Sequence, residues 1–140
     1  MAENRNFSFL IISPDGHHFE DEAELLNVRL TDGQIGILKD RAPLVGIIDV
    51  CLLEYLKDGK RDYLALGGGV LEVKDNKVLI LADSFETKDQ IDEKRAEEAK
   101  ARAEKRIADY KSRKDPDIDL KRAEVALKKA INRLNLCNRK

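Results

Sequence analysis

The sequence changes character near Thr87, and this change constrains the fold more than any other feature. Residues 1–88 hold 10 Lys/Arg against 16 Asp/Glu, whereas residues 89–140 hold 16 against 11. All eight glycines lie at or before Gly69, and Tyr110 is the only aromatic residue after Phe85. Such a difference between two halves is typical of two structural parts. We therefore predict one domain at residues 1–87 and a second at residues 88–140.

The length and composition indicate a small soluble protein. A chain of 140 residues has room for one ordinary domain and an appendage. No run approaches the roughly 18 apolar residues of a membrane span, so we expect no direct membrane insertion. The N-terminus has no basic leader and no small-residue cleavage site, which favours a cytosolic protein. The two cysteines, Cys51 and Cys137, lie far apart and are expected to be free thiols.

The first part has the pattern of an antiparallel β-protein. Short runs rich in Val, Ile and Leu are separated by turn dipeptides. Asp58-Gly59 and Asp75-Asn76 stand where two-residue hairpin turns need positive φ angles. Because no helical crossover interrupts the strands, the pattern predicts an antiparallel sandwich or barrel.

Catalytic and metal-binding chemistry is scarce in this part. The triple glycine Gly67 to Gly69 is not followed by Gly-Lys-Ser/Thr or by a helix, so we interpret it as a bulge or a close backbone approach. His17 and His18 are expected in a solvated turn, since two adjacent histidines do not supply the ligands that a metal needs. No metal site, catalytic residue or Ser/His/Asp or Cys/His arrangement is predicted.

A run of acidic residues also has a simple interpretation. It could suggest paired carboxylates for acid/base chemistry, but no nucleophile or cleft accompanies it. We expect an exposed strand face. The run consists of Glu20, Asp21, Glu22 and Glu24.

The second part predicts a helical hairpin. From Asp89 onward the chain consists mainly of Ala, Glu, Lys and Arg, which are strong helix formers. Asp89, with Asp92 in the first turn, resembles an N-cap. Pro116 ends the first helix, and Asp117 or Asp119 can cap a second one that runs to about Cys137. A short connection places two such helices antiparallel.

Each predicted helix has one narrow apolar seam. On the first helix the seam is mostly alanine, which contributes less than leucine at about 25 cal/mol per Å² of buried apolar surface. We therefore expect a hairpin that forms helix readily but is held weakly as tertiary structure. The seams are Ala96, Ala99, Ala103, Ile107 and Tyr110, and Leu120, Ala123, Leu127, Ala130, Ile131 and Leu134.

Cations follow both seams with the same spacing. At 100° per residue, each set falls within about 20° of one line beside its seam. Folding the hairpin brings equivalent flanks together, so six cations line one groove. They are Arg95, Arg102, Arg106, Arg122, Lys129 and Arg133.

Two interpretations of these cations stay open on the residues alone. Either they are solvated charges, partly neutralised by acidic neighbours such as Glu98, four residues before Arg102, or they form an anion site. In the second case a polyphosphate would relieve their repulsion and stabilise the closed hairpin by mass action. No nucleic-acid partner is expected, because the isoelectric point of about 6.2 is not high and no aromatic side chains interleave with the cations.

Three segments in order resemble a known family over essentially the whole chain. "LTDGQIGILKDRAPLVG" and "LALGGGVLEVKDNKVLILADSFE" are followed by a two-helix tail that opens with "IDEKRA". Together they resemble the epsilon subunit of bacterial rotary ATP synthases. The resemblance implies an N-terminal β-sandwich of about ten strands and a C-terminal antiparallel two-helix hairpin.

The resemblance also implies a role without catalysis. Members of this family belong to the central stalk of a proton- or sodium-translocating ATP synthase, a peripheral complex at the cytoplasmic face of the cell membrane. They bind the gamma subunit and the c subunits of the rotor ring and couple rotation to ATP synthesis. They inhibit ATP hydrolysis when the helices extend into the alpha/beta catalytic head.

Some bacterial members close the hairpin around ATP through a motif Ile/Leu-Asp-x-x-Arg-Ala, which stands here at residues 91–96. The resemblance implies ATP as a regulatory ligand and leaves magnesium open. It places Glu86, Ile91, Asp92 and Ala96 around the adenosine and Arg95, Arg102, Lys129 and Arg133 at the phosphates.

The chain departs from the family pattern at two positions. Lys129 stands where ATP-binding members usually have arginine, and a lysine lacks the bidentate fork. Arg41 stands where the loop before Ala42-Pro43-Leu44 usually carries histidine. That loop faces the rotor ring in the family, and Asp32 and Gln34 are expected beside it.

Other functions fit the residues less well. A free-standing ATP-sensing adaptor would use the same hairpin without a motor. A nucleotide hydrolase would need a nucleophile, a metal cluster or a phosphate loop, and the sequence offers none of these.

Overall fold

The computed structural model describes residues 4–139, and these divide into two compact units at residues 1–87 and 88–140. The first unit contains eight strands and the second contains two α-helices. The strands are β1 Phe7–Ile12, β2 His18–Ala23, β3 Leu25–Leu30, β4 Gly33–Ile37, β5 Leu44–Lys57, β6 Lys60–Lys74, β7 Lys77–Ala82 and β8 Phe85–Glu86. The helices are α1 Glu93–Lys111 and α2 Leu120–Cys137, and a 3-10 turn, Lys88–Gln90, precedes α1.

The first unit is a sandwich made from one continuous sheet. The strand order is β2-β1-β7-β6-β5-β3-β4, and β8 pairs with the first half of β6. The two longest strands, β5 and β6, run through both layers, which explains why eight strands are found where the resemblance implies about ten. All pairs are antiparallel except β1 with β7, which is parallel. The predicted β-sandwich is confirmed, with this one parallel pair as a correction.

The triple glycine interrupts the pairing of the two long strands without shifting its register. Ile48 pairs with Gly69 and Val50 with Gly67, so only Asp49 and Gly68, one residue on each strand, are missing from the ladder. Gly68 has φ +97°, and a Cβ at Gly69 would lie 2.2 Å from the carbonyl oxygen of Leu81. Of the two interpretations, the close backbone approach is confirmed, whereas the bulge is wrong, because neither strand has an extra residue at this point.

Both predicted hairpin turns are present. Asp58 and Gly59 have φ angles of 51° and 76°, and Asp75 and Asn76 have 51° and 60°. Such pairs of positive φ angles match the right-handed twist of the flanking strands. Each turn therefore sets the register of a hairpin, with Lys57 opposite Lys60 and Lys74 opposite Lys77.

The core of the sandwich lies entirely within the first unit. Its buried members run from Phe7 to Ala82, and Phe85 packs against them. Rings from the two layers meet in it, since Phe9 lies 5.0 Å and Phe19 6.2 Å from Tyr55 between centroids. Burial of Tyr55 among these rings raises its pKa to about 12.

Candidate functional sites

The first helix begins later than the sequence suggests. Asp92 is the N-cap of α1, and its carboxylate accepts a hydrogen bond from the Arg95 amide at 3.2 Å. Asp89 instead lies in the preceding 3-10 turn, so the prediction of Asp89 as the cap is wrong. The extended backbone of Asp92, at φ −88° and ψ 105°, is the conformation that an N-cap requires.

The second helix is capped in the same way. Asp119 accepts a hydrogen bond from the Arg122 amide at 3.1 Å, whereas Asp117 lies in the connecting turn. Of the two predicted caps, Asp119 is therefore correct. At the far end of the unit, Lys88 Nζ donates to the Arg139 carbonyl, which brings the two ends of the hairpin together and fits the antiparallel arrangement.

The contact between the helices is made mainly by alanines. Ala96, Ala103, Ala123 and Ala130 are each 3% exposed or less. The larger seam residues are less protected: Ile107, Leu127 and Leu134 are half-buried, and Tyr110 and Ile131 remain exposed. Methyl groups bury little area, so the stability of this contact is small for its length. The predicted seam is confirmed for its alanines, but Leu136 of α2, which the prediction does not include, is also buried, at 2% exposed.

The predicted cations are accessible in the hairpin. Arg95, Arg102, Arg106 and Arg122 are exposed, whereas Lys129 and Arg133 are half-buried. An ion pair on this unit joins Lys100 and Glu104 at 3.7 Å. Within residues 4–139, Glu98 forms no direct ion pair with Arg102, so its effect on Arg102 is limited to the longer-range attraction that their four-residue spacing allows.

The residues expected around an adenosine are distributed over both units. Ile91 is half-buried directly before the Asp92 cap, and Ala96 is buried in the seam. The Asp92 carboxylate is already engaged in capping α1. Glu86 lies in the sandwich, where it pairs with Ala65 through the short strand β8.

The outer face of one sandwich layer carries an unexpected apolar row. An antiparallel layer with one solvated face normally presents polar side chains there. Here Ile47 pairs with Val70, Val70 with Leu81, and Leu81 with Ile12, across four neighbouring strands. Their exposed fractions are 63%, 44%, 51% and 36%, and Val45 beside them is 72% exposed. We call these five residues the apolar stripe.

Sequence reasoning missed the apolar stripe, although a signal was present. The strand segments around these residues are apolar on both faces instead of alternating. Such runs indicate a strand covered on both sides. Only the strand order brings the five side chains into one surface, and patches of this kind mark interaction sites.

The loop before β5 is exposed but anchored. All residues from Leu38 to Pro43 are exposed, including Arg41. The Asp40 amide donates to Asn76 Oδ1 at 2.6 Å, and Asn76 Nδ2 donates to Asp40 Oδ1 at 3.1 Å. The β6–β7 turn thus anchors the loop at Asp40. The two residues expected beside this loop, Asp32 and Gln34, are also exposed.

A serine, an aspartate and a histidine do meet, contrary to expectation, in the turn between β1 and β2. Ser13 Oγ donates to Asp15 Oδ1, and His17 Nδ1 lies 2.8 Å from Asp15 Oδ2. The hydrogen bonds from Ser13 and then from His17 lower the pKa of Asp15 to about 2. Because the aspartate lies between the other two, the His17 ring does not contact the serine hydroxyl, and a carboxylate with so low a pKa is a poor base. The arrangement stabilises a turn and does not activate a nucleophile.

The acidic strand β2 makes a structural contact. Asp21 is half-buried and accepts a hydrogen bond from Lys57 Nζ at 2.6 Å. Burial by itself opposes ionisation of Asp21, but the hydrogen bonds from Lys57 and the Glu22 amide outweigh it and lower its pKa. Glu20 and Glu22 are exposed on this strand as expected, whereas Glu24 lies beyond the end of β2 and is half-buried, so the prediction of an exposed strand face is wrong for Glu24.

The described residues offer no ready site for a metal or a disulfide. No group of three potential metal ligands occurs among residues 4–139. Cys51 and Cys137 are free thiols, as expected, and burial raises the pKa of Cys51. Neither described helix is long and apolar enough to cross a membrane.

Comparisons with known proteins identify the family. The family described as ATP synthase, Delta/Epsilon chain, beta-sandwich domain, matches residues 6–88, and its long alpha-helix domain matches residues 89–138. The chain belongs to the ATP synthase Delta/Epsilon chain family. This result confirms the resemblance inferred from the sequence. It also agrees with the observed fold, a β-sandwich followed by two helices. It also confirms the expectation that a Delta/Epsilon chain is a subunit of an enzyme complex and not an enzyme by itself.

Individual relatives agree with the Delta/Epsilon assignment. The ATP synthase epsilon chain of Bacillus cytotoxicus is 42% identical over 136 residues, which cover 97% of this chain and 99% of the relative. That of Desulfitobacterium hafniense is 41% identical over 129 residues, covering 92% and 94%. A chain in the structure of Euglena gracilis mitochondrial ATP synthase, OSCP/F1/c-ring, has the same fold, with a TM-score of 0.70 at 21% identity. That match covers 86% of this chain and 74% of the Euglena chain.

Proposed function

We propose that this Delta/Epsilon chain is a non-catalytic subunit of the central stalk of a bacterial ATP synthase, which translocates protons or sodium ions. In this role the sandwich binds the gamma subunit and the c subunits of the rotor ring, at the cytoplasmic face of the membrane. The hairpin restrains ATP hydrolysis when it extends into the alpha/beta head. The observation that carries the proposal is the apolar stripe, because it gives a member of this family a surface for a permanent partner.

The apolar stripe suits the gamma subunit. A subunit that turns together with its partner needs an interface that does not dissociate under load, and such interfaces have an apolar core. Ile47, Val70 and Leu81 form a continuous row through direct strand pairing, so they present one surface and not scattered side chains. The anchored loop from Leu38 to Pro43 is a separate surface, and we assign it to the rotor ring.

Placing a charge in the apolar stripe should weaken assembly. We expect Ile47→Asp and Leu81→Asp each to reduce affinity for an alpha–beta–gamma complex about 30-fold, which corresponds to about 2 kcal/mol for a central interface residue. Biolayer interferometry with the immobilised complex measures this affinity. Leu38→Asp is the matched control, since Leu38 is 59% exposed but lies outside the stripe.

Circular dichroism and thermal unfolding establish that each variant is folded. Unchanged affinity of both stripe variants would remove the stripe from the gamma interface. A wild-type chain that binds ATP but not the alpha–beta–gamma complex would instead be a free-standing adaptor.

We further propose ATP as the regulatory ligand of the hairpin. The support is physical: exposed cations flank a contact made of alanine methyl groups. Like charges at contact distance repel by about 1 kcal/mol per pair even in water, and a triphosphate reverses the sign of this interaction. Since the alanine seam contributes little to the stability of the closed hairpin, a ligand that binds only the closed form can shift the equilibrium between closed and open hairpins. The phosphate-binding residues in this proposal are Arg95, Arg102, Lys129 and Arg133.

Removal of one arginine should weaken ATP binding measurably. We expect Arg95→Ala or Arg133→Ala to cost about 1.5 to 3 kcal/mol each, the scale of a hydrogen bond to a charged group. Isothermal titration calorimetry, with and without magnesium, gives the affinity. Lys105→Ala is the matched control, because Lys105 is exposed and lies half a turn away from Ala96 and Ala103 on α1. Equal affinities for all three variants would contradict the assignment.

A further inference from the structure

The motif at the start of the first helix occurs a second time. "IDEKRAEEA" at residues 91–99 recurs as "IDLKRAEVA" at residues 118–126, with seven of nine positions identical. The two copies adopt the same local structure. Asp92 and Asp119 are both extended N-caps, and they accept hydrogen bonds of 3.2 Å and 3.1 Å from the amides of Arg95 and Arg122.

The repeat relates the two helices by an approximate two-fold axis. At the offset between the copies, Arg122, Lys129 and Arg133 correspond to Arg95, Arg102 and Arg106. Because the helices are antiparallel, the two copies lie at opposite ends of the hairpin. The phosphate-binding set proposed above therefore has a counterpart at the other end. Its members are Arg122, Lys129, Arg102 and Arg106.

A cavity lies at the second copy. Its volume is about 500 Å³, within the range typical of small-molecule sites. Three cations line it, Lys121, Arg122 and Lys129, and none of them forms an ion pair within the described residues. Val125 and Ala126 add an apolar surface. The N-cap Asp119 also lines the cavity, but its carboxylate accepts a hydrogen bond from the Arg122 amide and is outnumbered by the three cations.

The second copy is also less acidic than the first. Leu120 and Val125 occupy the positions of Glu93 and Glu98, so the second copy has two fewer negative charges. Glu98 precedes Arg102 by four residues, the spacing at which it lowers the local positive potential. Val125 precedes Lys129 at the same spacing and has no such effect. An anion is therefore favoured more by the second copy than by the first.

We propose that the hairpin has a second anion site, at the cavity beside Arg122, for a polyphosphate of the nucleotide class. The class of ligand rests on the proposed function, in which the first copy of the motif binds ATP. The cavity and its cations are observed independently of that proposal. Lys129 lines this cavity and also belongs to the first phosphate-binding set, so a ligand in one site reduces the positive potential available to the other. The second binding event is accordingly weaker than the first.

The experiment is a titration of the full-length protein with ATP and, separately, with inorganic tripolyphosphate. Calorimetry should show two binding events per chain. Arg95→Ala should weaken one event and Arg122→Gln the other, each by about tenfold or more. Amide NMR shifts of residues 119–129 in the Arg95→Ala protein report the second site directly. Lys128→Gln is the matched control, since Lys128 is exposed on α2 but does not line the cavity.

The outcomes separate this inference from the proposed ATP site. One binding event that Arg122→Gln leaves unchanged would overturn the second site and leave the first intact. One event that requires both arginines would also overturn it, because the groove would then be a single extended site. Binding that depends on Arg122 but not on Arg95 would support the second site and contradict the first. Absence of any binding would overturn both.

Discussion

Replacing Gly69 with alanine is expected to lower the free energy of unfolding of the sandwich by about 3 kcal/mol or more. The new Cβ would lie 2.2 Å from the Leu81 carbonyl oxygen and 2.8 Å from Ala82 Cα. Both are backbone atoms of β7, whose inward side chains, such as Ile80, are buried in the core. The strand cannot move aside as a flexible side chain could. Urea denaturation followed by tyrosine fluorescence measures the loss, because Tyr55 and Tyr63 lie in the sandwich.

Gly33→Ala is a matched control for the steric part of this effect. Gly33 has φ +143°, close to the +150° of Gly69, but nothing lies within 4 Å of its Cβ position. We expect a loss of about 1 kcal/mol from backbone strain alone. If both variants lost the same stability, the close approach of β7 would not be the reason for glycine at position 69.

Removing residues 88–140 is expected to leave a folded sandwich that still assembles with gamma, while ATP hydrolysis by the complex rises several-fold. The buried core ends at Ala82 and includes no residue of the hairpin, so its packing is independent of the deletion. The hairpin contributes the proposed restraint on the catalytic head and not the proposed gamma interface. Thermal unfolding of the fragment, affinity for the alpha–beta–gamma complex and the hydrolysis rate are the three measurements.

Deletion of Lys140 alone is the control, since it retains the α2 cap Asn138 and the hydrogen bond from Lys88 to the Arg139 carbonyl. It should leave hydrolysis at the level of the intact complex. A fragment of residues 1–87 that still restrains hydrolysis would contradict the division of roles between the units. A fragment that fails to fold would contradict the independence of the sandwich core.

Local features were predicted well from the sequence. The turns at Asp58-Gly59 and Asp75-Asn76 were located correctly because positive φ angles depend on the residues of the turn itself. The alanine seam was also predicted correctly, since helical periodicity follows from a geometry that is the same in every α-helix. The cap of α1 was misplaced because Asp89 and Asp92 are both good capping residues. Only the 3-10 turn, Lys88–Gln90, decides between them.

The number and pairing of the strands were predicted less well. β5 and β6 continue through both layers, and β1 joins β7 in parallel, a pairing that no hairpin turn specifies. The apolar stripe escaped prediction for a related reason. Ile12 and Leu81 are neighbours only because β1 lies beside β7.

The anion site along the helices stays a prediction, although the exposure of its cations agrees with it. The spacing of Arg95 and Arg102, and of Lys129 and Arg133, follows from the sequence, and both pairs are accessible in the folded hairpin. The cavity beside Arg122 was not predicted. It depends on how side chains several residues apart are arranged in the folded unit, which the spacing of charges alone does not specify.

By itself, the amino-acid sequence determined the boundary between strand-forming and helix-forming parts, the hairpin turns and the cationic flanks of the helices. These features depend on φ/ψ preferences and periodicities within a few residues. The tertiary structure alone decided which strands become neighbours, and hence the apolar stripe and the anchored loop at Asp40 and Asn76. Such contacts join residues far apart in the chain, and their energies depend on the packing of the whole core.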